Sequence, residues 1–179
     1  MTSEEWLPLV DIDGQIVGKA RRRDVHGNPK LLHPVVHCLV VNSKLDLLLQ
    51  LRSRSKDVQP GRWDTSVGGH VGLNEPVEQS VLREIREELG IDVALSQLTF
   101  LHRYVMSNSV ESELVHTYLL WHEGPFVPEP LEIDALRFWP KAEIEAARGQ
   151  AILTPNFEDE FDRFQAALRD GQVSLHGLR

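Results

Sequence analysis

The clearest hydrophobic pattern in the chain is a helical one near its middle. Apolar residues recur every four positions between residues 77 and 89, and neither proline nor glycine interrupts them. This period predicts an amphipathic helix with one contiguous apolar stripe. The stripe consists of Val81, Leu82, Ile85 and Leu89. Asn74 is predicted to cap the helix, Pro76 suits its first turn, and Gly90 is predicted to end it.

Strand patterns lie on both sides of this helix. Residues 7–19 predict a β-hairpin that turns at Asp13-Gly14. The nearly continuous apolar runs of residues 33–42 and 45–51 predict two strands that are buried on both faces and joined at Ser43-Lys44. Shorter strand-like segments are predicted at residues 64–67, 93–104, 114–121 and 135–139.

Two further helices are predicted towards the C-terminus. One covers residues 140–148 and stops at Gly149, and the other opens at Thr154-Pro155 and runs to Asp170. Residues 123–132 contain three of the ten prolines and predict an exposed connection. Strands that alternate with three helices, without a linker or repeat, predict a single α/β/α domain over residues 1–179.

Composition narrows the class of protein. With 41% hydrophobic and 26% charged residues, the chain is typical of a soluble globular protein. A formal charge of −8 argues against binding to nucleic acid polymers, but a local basic pocket or a metal would still admit a small phosphorylated substrate. Without a signal-like or membrane-spanning apolar stretch, the expected location is cytoplasmic, with no membrane partner. The single cysteine, Cys38, is predicted to be a buried structural thiol.

The polar side of the predicted helix concentrates negative charge. Three glutamates are spaced i, i+3 and i+4 there, so their carboxylates converge: Glu84, Glu87 and Glu88. A hard divalent cation is the simplest partner for such a group. The alternative is a solvated acidic face on which Arg83 and Arg86 are the ion-pair partners. Gly68-Gly69, just before the helix, favours the first interpretation because glycine can take positive φ and let backbone approach a ligand closely.

These residues belong to a longer motif that resembles a complete Nudix box over residues 69–91. Its fixed positions are Gly69, Glu75, Arg83, Glu84, Ile85, Glu87, Glu88, Gly90 and Ile91. The resemblance implies a Nudix-type α/β/α sandwich with a mixed central sheet that cleaves diphosphate linkages. It also implies that the three glutamates and the Gly69 carbonyl hold Mg²⁺ or Mn²⁺, that Arg83 orients the glutamates, and that Glu75 supports the loop.

A second set of candidate ligands lies mostly outside the box. It consists of His26, His33, His70, Glu111 and Glu113. Taken singly, each is typical of an ordinary surface residue, but three imidazoles and two carboxylates together suit Zn²⁺ or Mn²⁺. The spacings resemble the His-x6-His, Trp-x6-His and Glu-x-Glu metal-site motifs of the type I isopentenyl-diphosphate isomerases, which are themselves Nudix-fold proteins.

The isomerase resemblance covers the first two thirds of the chain and adds substrate-binding candidates. These are Arg22, Arg52, Lys56, Trp63 and Tyr104. The three cations would bind diphosphate oxygens, and either aromatic ring could stack on a planar group. One departure is decisive, because the isomerases need a thiol two residues before the metal-binding histidine and Gly68 stands there. Glycine cannot transfer a proton, and Cys38 lies too early in the chain to replace the thiol.

The sequence therefore favours a metal-dependent Nudix hydrolase that cleaves a diphosphate linkage in a small substrate. Either Glu84 or Glu88 could act as the general base, and the sequence does not decide between them. Two alternatives are an enzyme like the isopentenyl-diphosphate isomerases and a non-catalytic module that binds a nucleotide or a diphosphate. Many members of the family are dimers, so by analogy this protein could also form a homodimer.

Overall fold

A computed structural model describes residues 5–56 and 58–173. Strands β1 (Trp6–Val10) and β2 (Ile16–Arg21) form the predicted antiparallel hairpin as a separate two-stranded sheet. Gly14 takes the positive φ of 84° that its turn requires. The basic segment that follows forms the short helix α1 (Arg22–Val25).

A seven-stranded sheet forms the centre of the molecule. Its strands are β3 (Leu32–Val41), β4 (Leu47–Arg52), β5 (Trp63–Asp64), β6 (Val67–His70), β7 (Leu98–Ser107), β8 (Ser112–Trp121) and β9 (Ile133–Trp139). The main path runs β5-β4-β3-β8-β7, with β6 paired to β3 and β9 paired to β4. Strands β3 and β8 are parallel and the other pairs are antiparallel, so the mixed sheet is confirmed.

Helices cover both faces of this sheet. Helix α2 (Val77–Leu89) packs on one face, and α3 (Lys141–Ala147) and α4 (Pro155–Arg169) pack on the other. Strand β3 supplies both hydrophobic cores, because Cys38 and Val40 point towards α2 while Leu39 points towards α4. The α/β/α sandwich is confirmed, and so is the burial of Cys38, which is 0% exposed.

Three local predictions were wrong. Asn74 does not cap α2; it takes a positive φ of 64°, and Pro76 occupies the cap position. A strand does not run through residues 64–67, because the Ser66 hydroxyl accepts the Val40 amide at 2.8 Å where the backbone ladder would continue. Residues 93–97 are not a strand either, since the Gln97 side chain accepts the amide of Ala94 and closes a 3₁₀ turn.

Other boundaries follow the pattern closely. Gly90 ends α2 in the left-handed conformation at φ 66°, as predicted. Helix α4 begins after Thr154, whose hydroxyl accepts the amide of Phe157 at 3.1 Å. Within the described ranges, no helix combines the length and apolar character needed to cross a bilayer.

Candidate active site

A cleft of about 360 Å³ opens where β3, β4, β6 and α2 meet. The three box glutamates, Arg83, Gly69 and the three predicted cations all line it, as do four members of the histidine and glutamate set. The fifth member, His33, lies behind the wall and is fully buried. The structure thus brings the two predicted clusters to a single cleft.

Glu88 is the most deeply placed of the box glutamates. Its carboxylate accepts the Gly68 amide and the Gln50 side-chain amide, each at 3.1 Å. Burial, together with the nearby charges of Glu84 and Glu132, raises the pKa of Glu88 to about 8 against the effect of those hydrogen bonds. Among the residues that the structure describes, no cationic side chain forms an ion pair with Glu88, so a metal ion would stabilise its charged form.

Glu84 resembles Glu88 in its burial but differs in its partner. Its side chain is 12% exposed, and burial raises its pKa to about 7 although the Arg83 guanidinium opposes the shift. Glu87 is the open member of the trio, with 57% of its side chain exposed. Within residues 5–56 and 58–173, the three glutamates do not form a group whose ligand oxygens all lie within 4.8 Å of one another.

Arg83 explains that spacing. Its Nη1 donates to Glu84 at 2.7 Å and to Glu87 at 3.1 Å, so the guanidinium lies between those two carboxylates. Its Nη2 donates to the carbonyl of His70 at 3.0 Å. Arg83 therefore holds two box glutamates and the strand of the second cluster in fixed positions, which is the geometry that its predicted orienting role requires.

Glu75 anchors the other side of the same guanidinium. Its two oxygens accept from Arg83 at 2.9 Å, and one of them also accepts from the Gly72 amide at 3.0 Å and from the Ser80 hydroxyl at 2.7 Å. The hydrogen bonds from Arg83 lower the pKa of Glu75 to about 2. The carboxylate therefore ties α2 to the loop before it, as its predicted supporting role requires.

Gly68 and Gly69 do not take positive φ, but their lack of a side chain lets other groups approach the backbone closely. Gly69 lies inside strand β6, paired with Val36, and neither it nor Gly68 has a positive φ. A Cβ at Gly69 would collide with the carboxylate of Glu84. The predicted positive φ is wrong, but the close approach of the backbone is real and its neighbour is a box glutamate.

The histidines and glutamates of the second set converge. Two overlapping groups have ligand atoms within 4.8 Å of one another: His26, His33 and His70, and His33, Glu111 and Glu113. The Nε2 atoms of His26 and His70 are 3.2 Å apart, and His33 Nε2 lies 3.9 Å from Glu113. The five residues of this cluster come from three separate parts of the chain.

The protonation states of this cluster suit a metal ion. Burial lowers the pKa of His33 to about 4 and lowers that of His70 well below its usual value, so both imidazoles keep a lone pair at neutral pH. Burial and the neighbouring Glu111 raise the pKa of Glu113 to about 7. The buried His33 Nε2 has no hydrogen-bond partner in the described part of the chain. Such an orphaned nitrogen beside carboxylates fits a divalent cation with N and O ligands.

The predicted cations line the cleft, each beside an acid. Arg22 lies 3.3 Å from Glu5, Arg52 lies 3.3 Å from Asp64, and Lys56 lies 2.6 Å from Glu132. Their side chains are a quarter to a half exposed, so a diphosphate could replace these acids as the partner.

The two predicted aromatic contacts lie elsewhere. Trp63 packs edge-on against Trp139, with ring centroids 5.2 Å apart, on the sheet face that carries α4. Tyr104 lies under the guanidinium of Arg163 at 3.9 Å. Neither is among the residues that line the cleft, so the structure does not support their predicted contact with substrate.

Sequence reasoning missed several polar groups in the cleft, among them a buried ion pair. His37 on β3 lines the cleft, and its Nδ1 donates to the Glu160 carboxylate at 2.9 Å. Glu160 is fully buried on α4 and also accepts from the Thr117 hydroxyl at 2.7 Å. The sequence does contain a signal for this pair. Glu160 interrupts the apolar stripe of α4 beside Phe157 and Phe161, and a charged side chain buried there needs a partner.

The chain is similar in sequence to known proteins and similar in fold to a solved structure. The NUDIX domain family model matches residues 31–159. Isopentenyl-diphosphate Delta-isomerase 1 of Photorhabdus laumondii is 32% identical over 136 residues, which cover 73% of this chain and 77% of that protein. An uncharacterised Nudix hydrolase of Listeria monocytogenes is 30% identical over 154 residues, which cover 86% and 90%. The crystal structure of DR0079 from Deinococcus radiodurans matches with a TM-score of 0.64 at 28% identity, over 79% of this chain and 90% of that one.

Proposed function

The chain belongs to the NUDIX domain family, and from that membership we propose that residues 1–179 form a metal-dependent hydrolase. Its substrate would be a small phosphorylated molecule, and the bond cleaved would be a diphosphate linkage. The observation that carries the proposal is the burial of Glu84 and Glu88 beside cations in one cleft. Burial raises their pKa values to about 7 and about 8, so it disfavours their negative charge, and at Glu84 it does so although Arg83 lies beside the carboxylate. A divalent ion in the cleft would stabilise both carboxylates.

The box supplies the oxygen ligands that Mg²⁺ or Mn²⁺ prefers. The three box glutamates would hold such an ion, with the Gly69 carbonyl as a further ligand, once Arg83 no longer separates the carboxylates of Glu84 and Glu87. When bound, such an ion lowers the pKa of an attacking water and neutralises charge on phosphoryl oxygens. Arg83 would give up its contact with Glu87, while its hydrogen bonds to Glu75 keep the guanidinium in place.

Two residues compete for the role of general base. A base works best when its pKa lies near the working pH, and Glu84 and Glu88 both meet that condition. Glu84 lies nearer the opening, whereas Glu88 is held by the Gly68 amide and by Gln50. We favour Glu84 as the base and Glu88 as a fixed ligand, because a carboxylate with two donors is less free to take a proton.

The cations would bind the substrate. Arg22, Arg52 and Lys56 line the same cleft as the box glutamates, and each could exchange its present acid for a phosphate oxygen. The five-residue histidine and glutamate cluster would hold a second ion, Zn²⁺ or Mn²⁺. Because residues of both clusters line one cleft, a diphosphate bound there would lie near both ions.

The test is a phosphate-release screen over a library of diphosphate compounds with Mg²⁺, Mn²⁺ and Zn²⁺. The proposal expects at least one compound to be hydrolysed only when a divalent ion is present. Binding of such compounds without any release would instead indicate the non-catalytic binding module.

A second candidate is isomerisation of isopentenyl diphosphate. The assembled histidine and glutamate cluster and the isomerase relative favour it. Against it, Gly68 has no thiol, and Cys38 is fully buried on the α2 side of β3 with a strongly raised pKa caused by that burial. Incubation with isopentenyl diphosphate, followed by NMR, tests it. Dimethylallyl diphosphate made by the unaltered protein would favour isomerisation over hydrolysis.

A further inference from the structure

The walls of the cleft are almost entirely polar. Among the described residues that line the cleft, two have aliphatic side chains, Val35 and Val58, and none is a tryptophan, tyrosine or phenylalanine. The others carry a charge, an amide, a hydroxyl or an imidazole, or are glycines. Sites for small organic ligands are usually lined by hydrophobic and aromatic side chains. This cleft therefore offers little binding energy to a large apolar group.

Two common kinds of organic group are poorly matched to these walls. An isoprenoid chain gains affinity by burying its carbons against apolar side chains, and two valines supply little such surface. A nucleobase stacks on aromatic rings, and the rings that line this cleft are the imidazoles of His26, His37 and His70. The rings of His26 and His70 lie against each other, with centroids 5.2 Å apart, and only 13% of the His37 side chain is exposed. Neither group finds a matching wall.

The cleft is also small. Its volume of about 360 Å³ lies near the lower end of the roughly 300–1,000 Å³ that small-molecule sites span. A diphosphate and its metal ions would take up part of that volume. The space that is left suits a single ring or a short chain.

Two amide side chains in the cleft are uncommitted. Gln59 and Asn156 both line it and are half-buried, and neither side chain has a hydrogen-bond partner in the described part of the chain. Gln50 differs from them, because its amide donates to Glu88. A primary amide both donates and accepts hydrogen bonds, as a hydroxyl group does. The two free amides therefore suit a ligand that carries hydroxyl groups.

Both amides belong to segments that are bonded to Arg52 or to its partner. The carbonyl directly before Gln59 accepts from Arg52 Nε at 3.1 Å. Asn156 lies two residues after Thr154, whose hydroxyl donates at 2.7 Å to Asp64, the ion-pair partner of Arg52. Because Arg52 is a proposed phosphate ligand, a group attached to that phosphate would lie near Gln59 and Asn156.

The acids around the cleft favour a hydroxylated group as well. When phosphate oxygens take over the three cations, Glu5, Asp64 and Glu132 lose their ion-pair partners. An ionised carboxylate only accepts hydrogen bonds. Hydroxyl groups of the substrate would supply donors to these acids, whereas an alkyl chain would supply none.

We propose that the organic part of the substrate is a small sugar or polyol, whose hydroxyl groups bind the amides of Gln59 and Asn156. The assignment rests on the proposed hydrolysis of a diphosphate and names the class of group that the diphosphate carries. Such a substrate differs from isopentenyl diphosphate, which carries an apolar chain in place of hydroxyl groups.

A series of uncleavable ligands tests this class directly. The probes are methylenediphosphonate monoesters that differ only in the esterified alcohol, which is methanol, isopentenol, ribose at its 5-hydroxyl or adenosine at the same position. Calorimetry with Mg²⁺ measures their affinities for the unaltered protein. We expect the ribose ester to bind about ten- to a hundredfold more tightly than the methyl ester, the range of two neutral hydrogen bonds.

The other two esters give the contrast. The isopentenyl ester should bind like the methyl ester, and the adenosine ester should bind no more tightly than the ribose ester. Tighter binding of the isopentenyl or adenosine ester than of the ribose ester, or equal binding of all four, would overturn the class.

The two amides are tested by Gln59→Ala and Asn156→Ala, with melting temperatures recorded in parallel. Each variant should lose about two- to tenfold in affinity for the ribose ester, the range of one neutral hydrogen bond, and should bind the methyl ester normally. Gln79→Ala is the matched control, because Gln79 is an exposed amide on α2 that does not line the cleft. Unchanged affinity for the ribose ester in both cleft variants would overturn the assignment of these amides.

This proposal and the proposed hydrolysis fail separately, because the probes cannot be cleaved. If diphosphates are hydrolysed but the isopentenyl or adenosine ester binds most tightly, the substrate class is wrong and the hydrolase assignment stands. If no diphosphate is hydrolysed but the ribose ester is preferred and the cleft variants lose that preference, the class stands and the reaction is wrong.

Discussion

At the scale of single residues, the cleft is defined by carboxyl groups whose charge the protein leaves partly unpaired. The pKa of Glu84, Glu88 and Glu113 is raised by burial to between about 7 and about 8. Each of these groups costs the folded state free energy when it ionises without a cation. An ion bound in the cleft, as proposed, would offset that cost.

A pH dependence of stability follows for the metal-free protein. Between pH 6.5 and 8 the folded state holds protons on Glu88 and on His37 that the unfolded chain has released, so stability falls as pH rises. Urea unfolding in EDTA should show this fall, and Glu88→Gln should flatten it by up to about 1.4 kcal/mol per pH unit. An equal slope in both proteins would mean that Glu88 is already ionised in the fold.

The orienting role of Arg83 gives a second prediction. Arg83→Lys keeps the charge but cannot donate to Glu75, Glu84 and His70 at once. We expect kcat to fall by about tenfold or more with little change in melting temperature. Arg86→Lys is the control on the same helix, because Arg86 is exposed and pairs only with Asp92 among the described contacts. A similar loss in both variants would count against an orienting role.

The limits of sequence reasoning are clear at this scale. The contact between Glu75 and Arg83 could be expected from the sequence because both residues lie within the same short motif. His37 and Glu160 were missed because 123 positions separate them, and only the fold shows that they meet. Trp63 was placed by its spacing to His70, but the strand directs its ring to the opposite face of the sheet.

At the scale of elements, helix α2 followed from the sequence because its apolar stripe and its glycine stop are local signals. Strand β6 did not, because its existence depends on pairing with β3, about thirty positions away. Gly68 and Gly69 were therefore expected to take positive φ, although they lie in a strand that brings Gly69 close to the Glu84 carboxylate.

This strand placement predicts a steric cost. Gly69→Ala would place a methyl group where the Glu84 carboxylate lies, and this flexible end of the side chain would have to move away from Arg83. We expect a marked loss of activity, whereas urea unfolding should show a stability loss at or below the low end of the about 1–3 kcal/mol that overpacking costs. Gly18→Ala is the matched control in strand β2, because its nearest neighbour would be 3.9 Å away. Normal activity in Gly69→Ala would mean that Glu84 can move freely.

At the scale of the whole molecule, the fold joins two clusters that are far apart in sequence. The second cluster consists of His26 directly after α1, His33 in β3, His70 in β6, Glu111 directly before β8 and Glu113 within it. The parallel pairing of β3 with β8 sets His33 opposite Glu113. The motif spacings predicted that these residues converge, but they do not show how. The parallel register of β3 and β8 explains how residues so far apart in the sequence come together. A homodimer stays a prediction.

The second cluster predicts metal-dependent stability. Zn²⁺ or Mn²⁺ should raise the melting temperature of chelator-treated protein, because an ion that binds only the folded state stabilises it. His33→Asn should remove that rise and the bound metal measured by mass spectrometry, whereas the control His116→Asn should keep both. Retained metal in His33→Asn would show that these imidazoles are not ligands.

In the proposed reaction, the box glutamates act together in cleaving a diphosphate. The most direct measurement is kcat of Glu88→Gln with Mg²⁺ on a diphosphate that the unaltered protein hydrolyses, with circular dichroism to verify the fold. We expect kcat to fall by about a hundredfold or more while the protein stays folded. Full turnover in folded Glu88→Gln would show that the box glutamates do not carry the reaction.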